Sequence, residues 1–208
     1  MEDYNEEDYN EDPRQDWPFK QKKKPEPPKG EKSIGSEILS FVLYILAVIV
    51  LTYLIIHFVG QRTEVSGQSM EDTLHNKDNL IVDKLSYRIG NPKRFDIVVF
   101  PHGDQYFIKR IIGLPGETVH VDEQGKIYIN GQVLEENYGK EVIKEETRLT
   151  AAGKIVLKDD EYFVMGDNRN HSRDSRDPTV GPVAKDKLIG KVWIRIWPIS
   201  QFGFVKHQ

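Results

Sequence analysis

No cysteine occurs anywhere in the 208 residues. That absence excludes disulfide scaffolds, thiolate metal sites and every cysteine nucleophile, transpeptidases of the sortase type included. The compartment stays open, because a chain without thiols survives in either redox environment. Metal-binding spacing is lacking too: His57, His75, His102, His120, His171 and His207 lie far apart, with no His-x-x-x-His pair. Asp167-Asn168-Arg169 breaks the alternation of oxygen ligands that a calcium loop needs. No cofactor and no metal are therefore expected, and no internal repeat is present.

A basic excess is also missing from most of the chain. Residues 1–16 hold eight acids against Arg14, residues 17–32 hold six lysines against Glu26 and Glu31, and residues 33–60 hold only Glu37. The net charge of -4 thus belongs to the first 60 residues, and residues 61–208 are neutral. A neutral domain offers no phosphate-binding face, so nucleic acid is excluded as a partner. At 208 residues the chain has room for one domain of ordinary size with appendages.

What the chain does have is one long apolar run. Ile38 to Val59 reads ILSFVLYILAVIVLTYLIIHFV, with no formal charge and only His57 ionisable. Twenty-two residues at about 1.5 Å each reach roughly 33 Å, against a hydrocarbon core of about 30 Å. A buried core helix would keep a polar stripe, and this run has none. A cleaved signal peptide would have a shorter apolar stretch of about 7–15 residues and a small-x-small cleavage pattern, which Gly60-Gln61-Arg62 lacks. We therefore expect a transmembrane anchor over residues 36–60.

Residues 18–37 hold six lysines, whereas residues 60–79 hold only Arg62 and Lys77. The positive-inside rule then places the N-terminus in the cytoplasm and residues 61–208 outside it. Residues 1–35, with their charge blocks and five of the eleven prolines in the first 32 positions, read as a disordered cytoplasmic tail. Lys22-Lys23-Lys24 adjoins the span, where it sets topology and can touch anionic lipid.

Beyond the span the pattern is that of strands. Segments 79–83, 96–100, 106–112, 127–129 with 133–134, 161–165 and 191–196 are short, β-branched or aromatic, and bounded by turn residues. Asn130-Gly131 is a two-residue hairpin signal. The fold expected is mainly β: one N-terminal transmembrane helix, then an extracytoplasmic antiparallel β domain over residues 61–208.

Chemistry is sought among lysines and serines. In Phe107-Ile108-Lys109-Arg110-Ile111 side chains alternate faces, so one of two adjacent cations must point among apolar groups. Periodicity alone leaves open which one. If it is Lys109, desolvation lowers its pKa by up to about 3–5 units, toward the neutral amine that a general base requires. The natural partner is a serine hydroxyl, as in Ser-Lys hydrolases. Ser66, Ser69, Ser86, Ser172, Ser175 and Ser200 are candidates; Gly67-Gln68-Ser69-Met70 is the most suitable setting, with a glycine where a substrate backbone could approach.

Four segments carry a specific resemblance. Ser69-Met70-Glu71-Asp72-Thr73-Leu74, Arg94 to Phe100, Phe107 to Glu117, and Gly166 to Arg176 follow one another after the apolar run. In this order they resemble the successive sequence boxes of bacterial type I signal peptidases. The resemblance implies a catalytic domain of the signal-peptidase type, with a small hairpin-containing subdomain inserted at about residues 117–160. It implies that Ser69 is the nucleophile and Lys109 its general base, with the Ser69 N–H in the oxyanion hole. Ser172 matches the position whose hydroxyl holds the lysine amine.

Asp167, Arg169, Asp174 and Arg176 match positions that brace the site, and Arg110 stands beside the base. Without the family, this charged loop would read as a solvated turn. Some relatives carry a side-chain donor where this chain has Gly67, which makes it like many Gram-positive members. Asp72 is a departure, since proline is common there and fixes φ near -65°.

The function so implied is that of a membrane-bound serine endopeptidase cutting N-terminal signal peptides from exported preproteins. Its partners would be those preproteins, membrane lipid and the protein-export translocon. A catalytically silent tethered β module that binds exported chains is the alternative, and intact Ser69 and Lys109 argue against it.

Overall fold

A computed structural model describes residues 34–55, 60–139 and 141–207. The expectation of a disordered tail over residues 1–35 lies outside the described residues up to position 33, as does His57, and Ile34 and Gly35 already belong to a helix. The first element is the helix α1, Ile34–Leu54, none of whose residues is buried. It is the one helix among the described residues long and apolar enough to cross a membrane. The bare circumference contradicts a core helix, which buries at least one face. Glu37, its only acid, stands in the first turn, where the helix dipole favours negative charge.

The remaining elements are short strands: β1 (Gly60–Glu64), β2 (Asn79–Asp83), β3 (Ile97–His102), β4 (Gln105–Gly113), β5 (Thr118–Val121) and β6 (Ile127–Ile129). They are followed by β7 (Gln132–Val133), β8 (Ile155–Val156), β9 (Glu161–Met165), β10 (Val183–Ala184), β11 (Gly190–Trp197) and β12 (Gly203–Phe204). Antiparallel pairing gives a large sheet in the order β1-β2-β11-β3-β4-β9-β10, with β12 beside β11. A second sheet has the order β7-β6-β5-β8.

The second sheet runs from Thr118 to Val156, within the stretch where the resemblance implies an insertion. Its β6–β7 hairpin turns on Asn130 and Gly131, both at positive φ (51° and 83°), the backbone that makes such a turn match strand twist. The short strands β1, β5, β8, β10 and β12 were not expected from local pattern. β1, for example, reads GQRTE and owes its state to pairing residue by residue with β2.

Three buried clusters make the core. Met70, Leu74, Leu80, Val82, Ile97, Ile108 and Val205 share the first. Ile112, Val119, Phe163 and Met165 join the two sheets in the second. Phe100, Ile111, Tyr162 and Val164 lie in the third. Strand β4 contributes Ile108 and Ile112 from one face and Ile111 from the other, so both of its faces are covered from Ile108 onward. Each fully buried aliphatic side chain stabilises by about 1.5–3 kcal/mol. Two-faced burial corrects the expectation for Lys109 and Arg110: both cations are buried, at 4% and 1% exposure.

Candidate active site

Ser69 sits on a compact turn after β1. The Glu71 N–H donates to the Gln68 carbonyl at 3.2 Å, and the Thr73 and Leu74 N–H groups donate to the Met70 carbonyl at 2.9 and 2.8 Å. Met70 and Leu74 are buried at 1% and 0% exposure, so they anchor the turn and leave the Ser69 hydroxyl at its rim. Gly67, at φ +99°, adopts a backbone that side chains disfavour, and its N–H donates to Asn76 Oδ1 at 3.0 Å.

Lys109 reaches this turn from β4. Its Nζ lies 2.8 Å from Ser69 Oγ and 2.9 Å from the Ile108 carbonyl, and 5.0 Å from the Phe107 ring centroid. Burial lowers its pKa from the usual 10.5 to about 8, against opposing pulls from the Asp174 and Asp167 carboxylates. At that value roughly one molecule in ten carries the neutral amine at pH 7. A neutral amine within hydrogen-bond reach of a hydroxyl can accept its proton.

The charged loop after β9 is not a solvated turn. Asp167, Arg169, Asp174 and Arg176 are all buried, at 0–1% exposure. Arg110 Nε and Nη2 donate to the two oxygens of Asp167 at 2.9 and 2.7 Å, and the Thr73 hydroxyl donates to Asp167 Oδ2 at 2.6 Å. Arg176 grips Asp174 at 2.9 and 2.8 Å, while Asp174 accepts the Gly166 N–H at 3.0 Å. The Asn168 N–H and Nδ2 donate to the Ser69 and Gln68 carbonyls, each at 3.1 Å. Through these bonds the loop fixes both the backbone of the Ser69 turn and the strand that carries Lys109.

Gly166 is needed for close approach: a Cβ there would collide with the Ser69 carbonyl oxygen and with Ser172 Oγ. Ser172 departs from expectation. Its hydroxyl is buried without a hydrogen bond, and the Ile108 carbonyl rather than Ser172 is the second partner of the lysine amine.

Several contributors carried no local signal in the sequence. Arg169 pairs with Glu136, just after β7, at 2.6 Å. The Tyr138 ring lies 3.9 Å from the Arg110 guanidinium carbon and 5.9 Å from that of Arg169, with Phe95 edge-on at 5.3 Å. Burial pushes the Tyr138 phenol pKa up. Such residues act only through tertiary contact, so nothing in their neighbours announces them.

A groove of about 490 Å³ leads to the pair, walled by Thr63 to Gln68 on one side and Asp104 to Ile108 on the other. β9 pairs with β4 at Arg110, Ile111 and Gly113 only. Among the described residues, Gln105 to Ile108 therefore have no strand beside them on that edge. An extended peptide can add there as a strand, its scissile bond carried toward Ser69.

A buried lysine amine against a serine hydroxyl, at the end of a strand-lined groove, is the arrangement that serine peptidases of the Ser-Lys type use. The chain belongs to the signal peptidase family, peptidase S26, which it matches over residues 38–197. It is 39% identical over 193 residues to the probable signal peptidase I-2 of Synechocystis sp., covering 88% of this chain and 82% of that one. Signal peptidase I of Bacillus amyloliquefaciens is 36% identical over 183 residues, covering 86% and 98%. A solved signal peptidase I from Enterococcus faecalis V583 is 36% identical with a TM-score of 0.41, covering 49% of this chain and 96% of that one.

Proposed function

We propose that Ser69 is the nucleophile and Lys109 the general base with which this signal peptidase cleaves signal peptides from preproteins. The observation that carries the assignment is the 2.8 Å approach of Lys109 Nζ to Ser69 Oγ, with the amine buried. Ser69 Oγ attacks the scissile carbonyl as Lys109 takes its proton. The resulting oxyanion is met by the Ser69 N–H, a kind of contact typically worth about 2.7–4 kcal/mol. Lys109 then returns the proton to the leaving amine, and an ester to Ser69 remains. Lys109 next deprotonates a water that hydrolyses this acyl-enzyme.

Arg110, Asp167, Arg169, Asp174 and Arg176 hold the pair in place, and Gly67 leaves room for the substrate backbone. Small side chains at the first and third positions before the cut follow from the family resemblance. Ser172 keeps a supporting role beside Gly166.

For placement, residues 36–60 form a single transmembrane anchor, the tail over residues 1–35 is cytoplasmic, and residues 61–208 are the catalytic domain outside, with the insertion at about 117–160. The lysine excess before the span supports this orientation. Membrane lipid and the export translocon are the expected neighbours of such an enzyme.

The full chain in detergent, incubated with a purified preprotein, tests the assignment. Wild type should cut at the end of the signal peptide, and Ser69→Ala and Lys109→Met should not. Equal cutting by all three, or none by the wild type, removes the assignment and favours a silent binding module.

A further inference from the structure

The Arg110 guanidinium has five N–H donors and finds five acceptors. Nε and one Nη2 hydrogen go to Asp167, and the other Nη2 hydrogen goes to Thr73 Oγ1 at 3.4 Å. Nη1 donates to the Phe95 carbonyl at 3.0 Å and to the His207 carbonyl at 2.5 Å. His207 thus completes the set from 97 residues away in the sequence.

The place of that carbonyl is fixed from two sides. β11 pairs with β3 only at Gly190↔Val99 and Lys191↔Val98, so the strand ladder stops short of Ile97. The His207 ring fills the vacated position, with Nδ1 accepting the Ile97 N–H at 3.0 Å. Two residues earlier, the Val205 N–H donates to the Trp193 carbonyl at 3.0 Å. The Val205 side chain belongs to the same buried cluster as Met70 and Leu74, the anchors of the nucleophile's turn.

An imidazole accepting at Nδ1 must be neutral. Burial lowers the His207 pKa to about 4, helped by the Lys191 and Arg110 charges and opposed by Asp96 and the Val192 backbone. The ring is therefore neutral, and able to keep this bond, at neutral pH.

We propose that His207 is a positioning residue for the Ser69–Lys109 pair: its ring locks the end of β3, and its carbonyl completes the arginine that holds Asp167. The proposal rests on the reading of that pair as the catalytic dyad. Asp167 acts on both partners, through Thr73 on the serine's turn and through its charge on Lys109, whose pKa it raises. Arg110 offsets that charge. Loosening Arg110 exposes Lys109 more fully to Asp167 and so raises the lysine pKa, while the serine's turn loses a fixed support.

The test compares His207→Ala, His207→Asn and the exposed neighbour Lys206→Ala as full chains in detergent, with kcat, KM and the pH profile of kcat on a preprotein. His207→Ala should lower kcat about tenfold with KM little changed, the size of effect expected from slight misplacement of reacting groups. Its acid limb should move to higher pH. His207→Asn, whose amide oxygen can accept the Ile97 N–H, should recover most of the loss, and Lys206→Ala should match the wild type.

A wild-type kcat and acid limb in His207→Ala overturn the proposal. So does an equal loss in the Ala and Asn variants that follows a lower Tm and leaves the acid limb in place, because that is mere destabilisation. A Ser69→Ala control in the same assay separates this failure from failure of the dyad itself, since activity surviving there removes the dyad.

Discussion

Arg110 and Asp167 face one another through two parallel hydrogen bonds of 2.9 and 2.7 Å, with side-chain exposures of 1% and 0%. A pair this deep is costly to break from one side, because the surviving charge stays buried. Asp167→Ala should destabilise the domain by about 3–5 kcal/mol in urea unfolding. The double replacement Arg110→Met with Asp167→Leu should recover much of that stability while leaving little activity. Equal destabilisation by the single and double variants would refute a buried pair.

Lys109 trades stability for reactivity. Its pKa of about 8 in the folded chain, below the ordinary 10.5, means that the fold disfavours the ammonium. Below pH 8 this opposes folding by about 3 kcal/mol, and the cost disappears as pH rises from 8 to 10.5. Lys109→Met removes the cost along with the amine's hydrogen bonds. At pH 7 the variant should be inactive yet more stable by about 1–2 kcal/mol. Melting curves should show that advantage shrinking as the pH is raised.

Gly166→Ala tests the close approach at the nucleophile's turn. The added methyl meets the Ser69 carbonyl oxygen, which is backbone and yields only if the turn moves. A shift of about 1 Å at reacting atoms typically costs on the order of 100-fold, so kcat should fall by about that factor. Unchanged kcat would mean that the turn and the loop are not so tightly stitched.

The segment after β7 should matter to catalysis through Glu136 and Tyr138. Tyr138→Leu removes an aromatic face from beside two buried guanidiniums, contacts worth about 0.5–2 kcal/mol each. Both Tm and kcat should drop, and Glu136→Gln, which weakens the 2.6 Å pair with Arg169, should drop them less. A normal kcat in both variants would make that segment a bystander.

Much of this was legible beforehand, and the gaps have physical reasons. β2, β4, β9 and β11 announce themselves by β-branched and aromatic runs, and Asn130-Gly131 announces its hairpin. Thr118 to Val121 alternates too, and its strand state is secured by pairing with β6 and β8. β1 and β12 have no such pattern, since partners rather than propensity define them. The roles proposed for Ser69 and Lys109 come from the family resemblance, whereas strand periodicity leaves Lys109 and Arg110 undecided. Periodicity assumes one wet face, and from Ile108 onward β4 has none. Glu136, Tyr138 and His207 were invisible because each acts on the site from far away in sequence.

The pH dependence of kcat/KM on a preprotein tests the central claim most directly, because it reports the base in the free enzyme. A neutral Lys109 serving Ser69 predicts an acid limb near pH 8, with the rate falling tenfold per pH unit below it. A rate that stays level down to pH 6, or an acid limb in the ordinary histidine range, would contradict a lysine base.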